Sequence, residues 1–255
     1  MFRAKKKWGQ NFLCDLGTII TITNAICPQR EDHFLEIGPG LGALTKHLVD
    51  RAKSITAIEI DPDCVSLLRK TYPKVVVFNQ NILSTNWSLL FRDKKRVVGN
   101  IPYYISSELL ELFCNNHHYL VDVHIMLQKE VADRVLSKPG DKNFSRLSLF
   151  VQSYFDAEHI ISIEPTCFSP VPSVKSSFIR LITKSKPTPI NQTCYEIIKG
   201  AFSKRRKMIR NSLSSFFSDD DFIKMGINAD KRAQQISRNE YEIMSSFYCQ
   251  IGKKR

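Results

Sequence analysis

Short apolar segments alternate with helical segments through the first half of the chain, and this alternation limits the folds it can adopt. Helical spacing follows the first predicted strand at Leu41, Leu44 and Leu48, and Pro62 stands at the start of the next helix. Such alternation implies right-handed βαβ units. We therefore predict an α/β fold, with a parallel sheet and helices on both of its faces. The five predicted strands are segments 33–38, 54–60, 74–80, 96–100 and 121–127.

The pattern changes after this alternation. Segments 158–165 and 174–183 are predicted strands with a proline-rich connection, which indicates an antiparallel β-hairpin at the sheet edge. A polar, proline-marked linker follows, and beyond it only helical patterns occur. The sequence thus predicts an α/β domain over residues 1–183 and a small all-α domain over 184–255.

The helical patterns of the second domain lie in four segments. One of them, 205–217, places Ile209, Leu213 and Phe216 on one helical face, which we expect to pack inward.

Charge is concentrated at the two ends of the 255-residue chain, whose formal net charge is +12. Residues 1–30 hold five basic and one acidic residue, and residues 183–255 hold fifteen basic and seven acidic residues. The 31–182 segment holds 17 of each sign. A neutral body with a basic N-terminal segment (1–30) and a basic C-terminal region indicates a polyanionic partner, nucleic acid rather than a membrane.

The cysteine spacing excludes CxxC-type zinc or redox motifs, because no two of the seven cysteines are closer than 13 residues apart. We therefore expect reduced thiols and a cytoplasmic location. We also expect no metal, since the six histidines form no spaced cluster either. No apolar stretch approaches the ~18 residues of a membrane helix, and no secretory signal is expected.

A glycine-rich turn follows the first predicted strand. Segment 36–42, Glu-Ile-Gly-Pro-Gly-Leu-Gly, lets the backbone turn tightly and approach a ligand. Glu59 ends the next strand, 21 residues after Gly38, where a carboxylate can accept both ribose hydroxyls of a nucleoside. The pattern predicts a nucleoside cofactor on a Rossmann-like sheet, but leaves NAD and S-adenosylmethionine both open.

The motif Asn100-Ile101-Pro102-Tyr103 ends the fourth predicted strand, where it faces the cofactor crevice. The Asn100 oxygen and a neighbouring carbonyl can accept hydrogen bonds from the exocyclic amine of adenine and orient its lone pair towards an electrophile. Tyr103 can stack on the base, a contact worth ~1–3 kcal/mol. This position favours a pocket for a planar base with an exocyclic amine over an ordinary Asn-x-Pro turn.

At this point the chain resembles the KsgA-type ribosomal RNA adenine N6,N6-dimethyltransferases over nearly its whole length. The resemblance implies a class I methyltransferase fold and a helical RNA-binding domain. It also implies dimethylation of two adjacent adenines near the 3′ end of small-subunit rRNA, with S-adenosylmethionine as cofactor. The motifs that carry it are Gly9–Leu13, 36–45, Glu59, 100–106, 126–134, 168–181 and 201–213.

The resemblance also implies roles for individual residues. Asn100, Ile101, Pro102 and Tyr103 would form the catalytic turn, and Tyr103 and Phe168 would stack on the flipped target base. The implied cofactor-binding residues are Asn11, Leu13, Gly38, Glu59, Asn81 and Asn100.

Two positions depart from the family pattern. Asn81 stands where the family has an aspartate that binds the cofactor's adenine amine, and its amide oxygen can still accept that bond. Tyr104 replaces an asparagine beside the catalytic turn, and we expect it to be tolerated.

Basic side chains are the expected contacts to rRNA phosphates, with a steep salt dependence. Their partner would be small-subunit rRNA within an immature small ribosomal subunit, bound by a monomer. They lie in two groups, one in the N-terminal segment and one from Lys204 to Arg210, and the latter is expected on a helix. The residues are Arg3, Lys5, Lys6, Lys7, Lys204, Arg205, Arg206, Lys207 and Arg210.

Three alternatives stay open. A related methyltransferase modifies large-subunit rRNA, although segment 201–213 favours the small-subunit enzyme. A NAD-dependent dehydrogenase would share the glycine turn but leaves the 100–103 motif unexplained. A non-catalytic ribosome assembly factor would keep the same fold.

Overall fold

The computed structural model describes residues 4–90 and 93–252. Its Cα packing divides the chain into two compact units, Met1–Ala132 with Phe155–Ser185, and Asp133–Tyr154 with Lys186–Arg255. The segment before β7 thus packs with the helical C-terminal part. The division into independent domains at residue 183 stays a prediction.

Strands of the first unit form two sheets among the described residues. The seven-stranded sheet has the order β4-β3-β2-β5-β6-β9-β7, and a two-stranded antiparallel sheet joins β1 to β8. In chain order the strands are β1 (Phe12–Leu13), β2 (His33–Ile37), β3 (Ser54–Glu59), β4 (Val76–Asn79), β5 (Lys95–Asn100), β6 (Leu120–Gln128), β7 (Phe155–Ile163), β8 (Phe168–Ser169) and β9 (Ser176–Thr183).

The helices alternate with these strands in the first unit and dominate the second. Several 3-10 turns supplement them. In chain order the helices are α1 (Leu16–Ile26), α2 (Thr45–Leu48), α3 (Pro62–Thr71), α4 (Trp87–Leu90), α5 (Ser106–Asn115), α6 (Lys129–Leu136), α7 (Arg146–Tyr154), α8 (Gln192–Ser203), α9 (Ile209–Ser212), α10 (Asp219–Met225) and α11 (Arg238–Gly252).

The predicted α/β architecture is confirmed. Strands β2 to β6 pair in parallel, and their apolar side chains are buried, as at Phe34, Leu35 and Val98. The predicted edge hairpin is also present, since β9 pairs antiparallel with both β6 and β7. The carboxyl ends of β2, β3 and β5 therefore meet at one edge of the sheet.

Two predicted helices differ from the structure. The helix expected from Leu41 is only α2, because the glycine turn continues to Leu44 and leaves Leu41 exposed. The helix expected over 205–217 is reduced to α9. The chain leaves α8 at Lys204, turns, and forms an isolated bridge from Met208 to Arg232. Pairing with the neighbouring segment thus replaces the first turns of that helix.

The second unit has an apolar core of its own. Ile197, Ile209, Leu213 and Tyr241 are fully buried in it, and Phe216 packs at its margin. The inward face predicted from Ile209 and Leu213 is confirmed. In the described part of the chain, no helix is long and apolar enough to cross a membrane.

Candidate active site

A pocket of about 460 Å³ opens at the carboxyl ends of β2, β3 and β5, within the first unit. Its floor and walls come from the glycine turn after β2, from the end of β3 and from the 100–104 turn after β5. Residues 8–14 of the N-terminal segment line it as well. Ligands bind to parallel sheets at this edge, so the parallel sheet predicted from the sequence, with the observed strand order, accounts for the location of the site.

The glycine turn owes its shape to left-handed backbone at three positions. Gly38 has a φ of +63°, Gly40 of +55° and Gly42 of +85°. A Cβ on Gly40 would lie 2.9 Å from the Phe12 ring, and one on Gly42 would lie 2.7 Å from the Tyr72 ring. The turn therefore excludes side chains here for both conformational and steric reasons.

Glu59 braces this turn from β3. Its carboxylate accepts hydrogen bonds from the backbone N–H of Gly40 at 3.0 Å and of Asp61 at 2.9 Å. Burial raises the pKa of this carboxyl, and the backbone donors lower it in part. Glu59 also lines the pocket, so it combines a structural role with a carboxylate acceptor at the pocket wall.

Glu36 is a second buried carboxyl at the pocket, and the sequence suggested no role for it. It is 1% exposed and accepts a hydrogen bond from the Thr45 hydroxyl at 2.7 Å. Burial raises its pKa from 4.5 to about 7. The only signal in the sequence was its position at the start of the glycine motif.

Asn100 has its amide fixed by a contact that the sequence did not indicate. Its Nδ2 donates to the backbone oxygen of Asn11 at 2.9 Å. Because that partner can only accept, the other amide atom is the oxygen. No described residue donates to Asn100 Oδ1, so an acceptor lies at the pocket wall without a partner from the protein.

The other residues of the 100–103 turn anchor it and line the pocket beside the Asn100 oxygen. The Tyr103 hydroxyl lies 2.8 Å from the Ser176 hydroxyl on β9, which fixes the ring at the pocket. Ile101 is 1% exposed and anchors the turn in the core, while Pro102 also lines the pocket. The four residues predicted for the catalytic turn therefore lie together, with only Asn100 and Tyr103 presenting polar groups.

The N-terminal segment is attached to the pocket through Asp61. Lys5 Nζ lies 2.6 Å from Asp61 and 2.5 Å from Asp63, and Gln10 donates to Asp61 at 2.8 Å. These hydrogen bonds raise the pKa of Lys5 to about 12. Asn11 and the buried Leu13 of the same segment line the pocket, and their binding of a cofactor stays a prediction.

This arrangement corrects the prediction that Lys5 contacts RNA phosphates, since its charge is paired with two carboxylates. Lys7 is exposed, 4.8 Å from the centre of the Trp8 ring. Arg3 and the side chain of Lys6 lie outside the described residues.

Asn81 also lines the pocket, but its side chain has a local partner. Its Oδ1 accepts a hydrogen bond from the Leu83 N–H at 3.0 Å and thereby caps a 3-10 turn. An adenine amine would share this oxygen with that backbone N–H.

Phe168 does not face the pocket. It is 2% exposed and belongs to the core cluster that contains Leu13, Ile163 and Phe178. Its strand, β8, pairs with β1, which turns the ring inward. The prediction that Phe168 stacks on a target base is therefore wrong for this conformation. The next residues, Ser169 and Pro170, line the pocket instead.

The basic cluster of the second unit lies in the turn between α8 and α9, so the predicted helical placement of Lys204–Lys207 is wrong. Arg205 donates to the backbone oxygens of Lys142 and Phe144, and Arg210, on α9, pairs with Asp230. Lys204, Arg206 and Lys207 are exposed and have no carboxylate partner in the described part of the chain. These three side chains form the free basic turn.

Comparison with known proteins agrees with this geometry. The family model described as "Ribosomal RNA adenine dimethylase" matches residues 1–250. The chain belongs to this family. It is 40% identical over 248 residues to the "Ribosomal RNA small subunit methyltransferase A" of Herminiimonas arsenicoxydans, covering 95% of this chain and 97% of that protein. The resemblance derived from the sequence is confirmed.

Two solved structures are similar to the chain over most of its length. A dimethyladenosine transferase from Plasmodium falciparum has a TM-score of 0.80 at 25% identity, covering 94% of this chain and 98% of that one. The 23S rRNA methyltransferase ErmE has a TM-score of 0.74 at 25% identity, covering 94% and 100%. The predicted Rossmann-like methyltransferase fold is thus confirmed, and the chain is an rRNA adenine dimethylase by family.

None of the described His, Cys, Asp and Glu side chains gather in a group of three suited to a metal ion. All seven cysteines are free thiols.

Proposed function

We propose that the chain transfers methyl groups from S-adenosylmethionine to N6 of two adjacent adenines near the 3′ end of small-subunit rRNA. The observation that carries this proposal is the Asn100 Oδ1, to which no described residue donates and which lies beside Tyr103 in a pocket that begins at a glycine turn. The relatives named as small subunit methyltransferases support the choice of rRNA.

The pocket fits S-adenosylmethionine in its donor set. Gly38 and Gly40 leave a cradle free of Cβ atoms, and the buried Glu59 carboxylate offers an acceptor for ribose hydroxyls. Asn11, Leu13 and Asn81 would complete the binding residues. When bound, the cofactor would supply a methyl group made electrophilic by its sulfonium charge, so that the bond from N6 to the methyl carbon forms as the sulfur–methyl bond breaks, the thioether leaves and the amine releases one proton to solvent.

The residues of this chain then have to position the adenine. Its exocyclic nitrogen is a poor nucleophile because its lone pair is delocalised into the ring. Asn100 Oδ1 would accept one N–H of the amine and turn the lone pair towards the methyl group, while Tyr103 would stack on the base. Because both side chains are already fixed by protein contacts, most of the catalytic effect would come from preorganised positioning.

The free basic turn (Lys204, Arg206 and Lys207) and Lys7 would bind rRNA phosphates. Lys5, Arg205 and Arg210, which were also predicted to bind RNA, would instead stabilise the fold, since each has a partner within the protein. We propose that the enzyme acts as a monomer in the cytoplasm, on an immature small subunit.

The decisive test is methyl transfer from labelled S-adenosylmethionine to immature small subunits, mature small subunits and large-subunit rRNA, with the modified nucleosides mapped. We expect N6,N6-dimethyladenosine at two adjacent positions in small-subunit rRNA. Modification of large-subunit rRNA alone would refute the proposal in favour of the activity in the name of ErmE. Calorimetry with NAD as the control ligand tests the dehydrogenase alternative.

An assembly role separable from catalysis has its own test. An Asn100→Ala variant that loses methylation yet still restores small-subunit maturation would indicate a second, binding role.

A further inference from the structure

Tyr104 is an exposed aromatic residue at the pocket that the proposed reaction does not use. The residue is 59% exposed, although it lines the same pocket as Tyr103. It lies in the 3-10 turn Tyr103–Ile105, which begins directly after Pro102. Its hydroxyl has no hydrogen-bond partner among the described residues. The described residues thus leave the hydroxyl without a partner and more than half of the residue uncovered.

The Tyr104 ring is nevertheless held in place along one edge. A Cβ on Gly9 would lie 3.3 Å from both Cδ1 and Cε1 of Tyr104, so the ring edge packs closely on the N-terminal segment. Gly9 has a φ of +58°, a backbone conformation that residues with a side chain rarely adopt. The backbone turn that carries Tyr104 is closed by a hydrogen bond from the Ile105 N–H to the Pro102 oxygen at 3.2 Å.

An aromatic ring that packs along one edge, in a residue that is 59% exposed, is suited to stacking. Aromatic side chains bind bases with little loss of conformational freedom, because only two torsions need to be fixed. Stacking depends little on the identity of the base, because every base has a π-face. Tyr103 and Tyr104 are consecutive, and the proposed substrate presents consecutive nucleotides.

We propose that Tyr104 is the stacking platform for the nucleotide next to the adenine held in the pocket. This inference rests on the proposed function and extends it from one base to a dinucleotide. Tyr103 and Asn100 receive the target adenine, and the neighbouring base is unstacked from the RNA and covers the exposed face of Tyr104. The side chain therefore contributes to substrate affinity and position, with no part in activating the amine.

The test compares Tyr104→Phe, Tyr104→Leu and Tyr104→Ala in the full-length chain. The RNA is a stem-loop with two adjacent adenines. A second preparation of the same RNA, used for fluorescence, carries 2-aminopurine in place of one of them. Phe keeps the ring and Leu keeps apolar bulk against Gly9 without a π-face. We expect Phe to match the wild type, and Leu and Ala to raise KM for RNA roughly 5- to 150-fold, the range given by one base–aromatic stack.

The controls separate stacking from a structural role. Affinity for S-adenosylmethionine, measured by calorimetry without RNA, should be the same in the wild type and in Tyr104→Leu. The quenching of 2-aminopurine fluorescence on RNA binding should be lost only in Tyr104→Leu and Tyr104→Ala. Equal KM for wild type and Leu, or a loss of cofactor affinity parallel to the rise in KM, would overturn the inference. Because quenching is read at equilibrium, it still reports stacking if the wild type transfers no methyl group, an outcome that counts against the proposed function alone.

Discussion

Replacement of Phe168 separates a core role from a base-stacking role. The ring is 2% exposed among Leu13, Ile163 and Phe178. Truncation to Ala would leave a cavity in this cluster, at a cost of about 3–5 kcal/mol in the free energy of unfolding. Leu restores most of the volume and should cost roughly 1–1.5 kcal/mol.

Intrinsic fluorescence is a suitable probe for this experiment, because both tryptophans, Trp8 and Trp87, belong to the first unit. In a chain of this size each kcal/mol lowers Tm by about 2–4 °C, so Phe168→Ala should lower it by about 6–20 °C. Phe168→Leu should shift Tm by only a few degrees and retain kcat/KM for RNA within about threefold.

A matched control is Tyr103→Leu, which removes a ring that lines the pocket. It should lower kcat/KM for RNA with little change in Tm. If Phe168→Leu behaves like this control, with kcat/KM reduced roughly 5- to 150-fold at nearly unchanged stability, the ring leaves the core to stack on the base. That result would refute the assignment of Phe168 to the core.

Three further predictions concern the pocket and the basic turn. Because burial raises the pKa of Glu36 from 4.5 to about 7, the folded state binds its proton more tightly, so stability should fall by up to about 3 kcal/mol as pH rises through this interval. Urea titrations at about pH 5 and about pH 8 should show this loss in the wild type and not in Glu36→Gln. Gly40→Ala, which brings a Cβ to 2.9 Å from Phe12, should weaken cofactor binding at least about tenfold, whereas Gly17→Ala in α1 should not; calorimetry measures both. Neutralising Lys204, Arg206 and Lys207 to Gln should reduce the salt slope of RNA binding by ~0.7–0.9 per lost phosphate contact, and an unchanged slope would exclude this turn from the interface.

Local patterns were sufficient to predict the sheet and the location of the pocket. Short apolar strands and Pro62 at the start of α3 are signals within a few residues, and the structure contains each of them. Strand order then brought Gly38, Glu59 and Asn100 to one edge, because parallel strands end on the same side.

Contacts distant in sequence could not be predicted in the same way. Asn100 donates to the Asn11 backbone 89 positions away, and Lys5 pairs with Asp61 at a separation of 56. The inward orientation of Phe168 depends on the pairing of β8 with β1. At the basic turn, helical spacing over 205–217 was present, but the bridge of Met208 with Arg232 outweighed it.

The role of Asn100 is tested most directly by the single-turnover rate of methyl transfer to bound RNA by an Asn100→Ala variant. Removal of the acceptor Oδ1 should slow transfer by about 100-fold or more while the affinity for RNA is unchanged. Asn100→Asp, which keeps an acceptor oxygen, should be slowed less. Transfer by Asn100→Ala at the wild-type rate would contradict the claim that this oxygen orients the adenine amine.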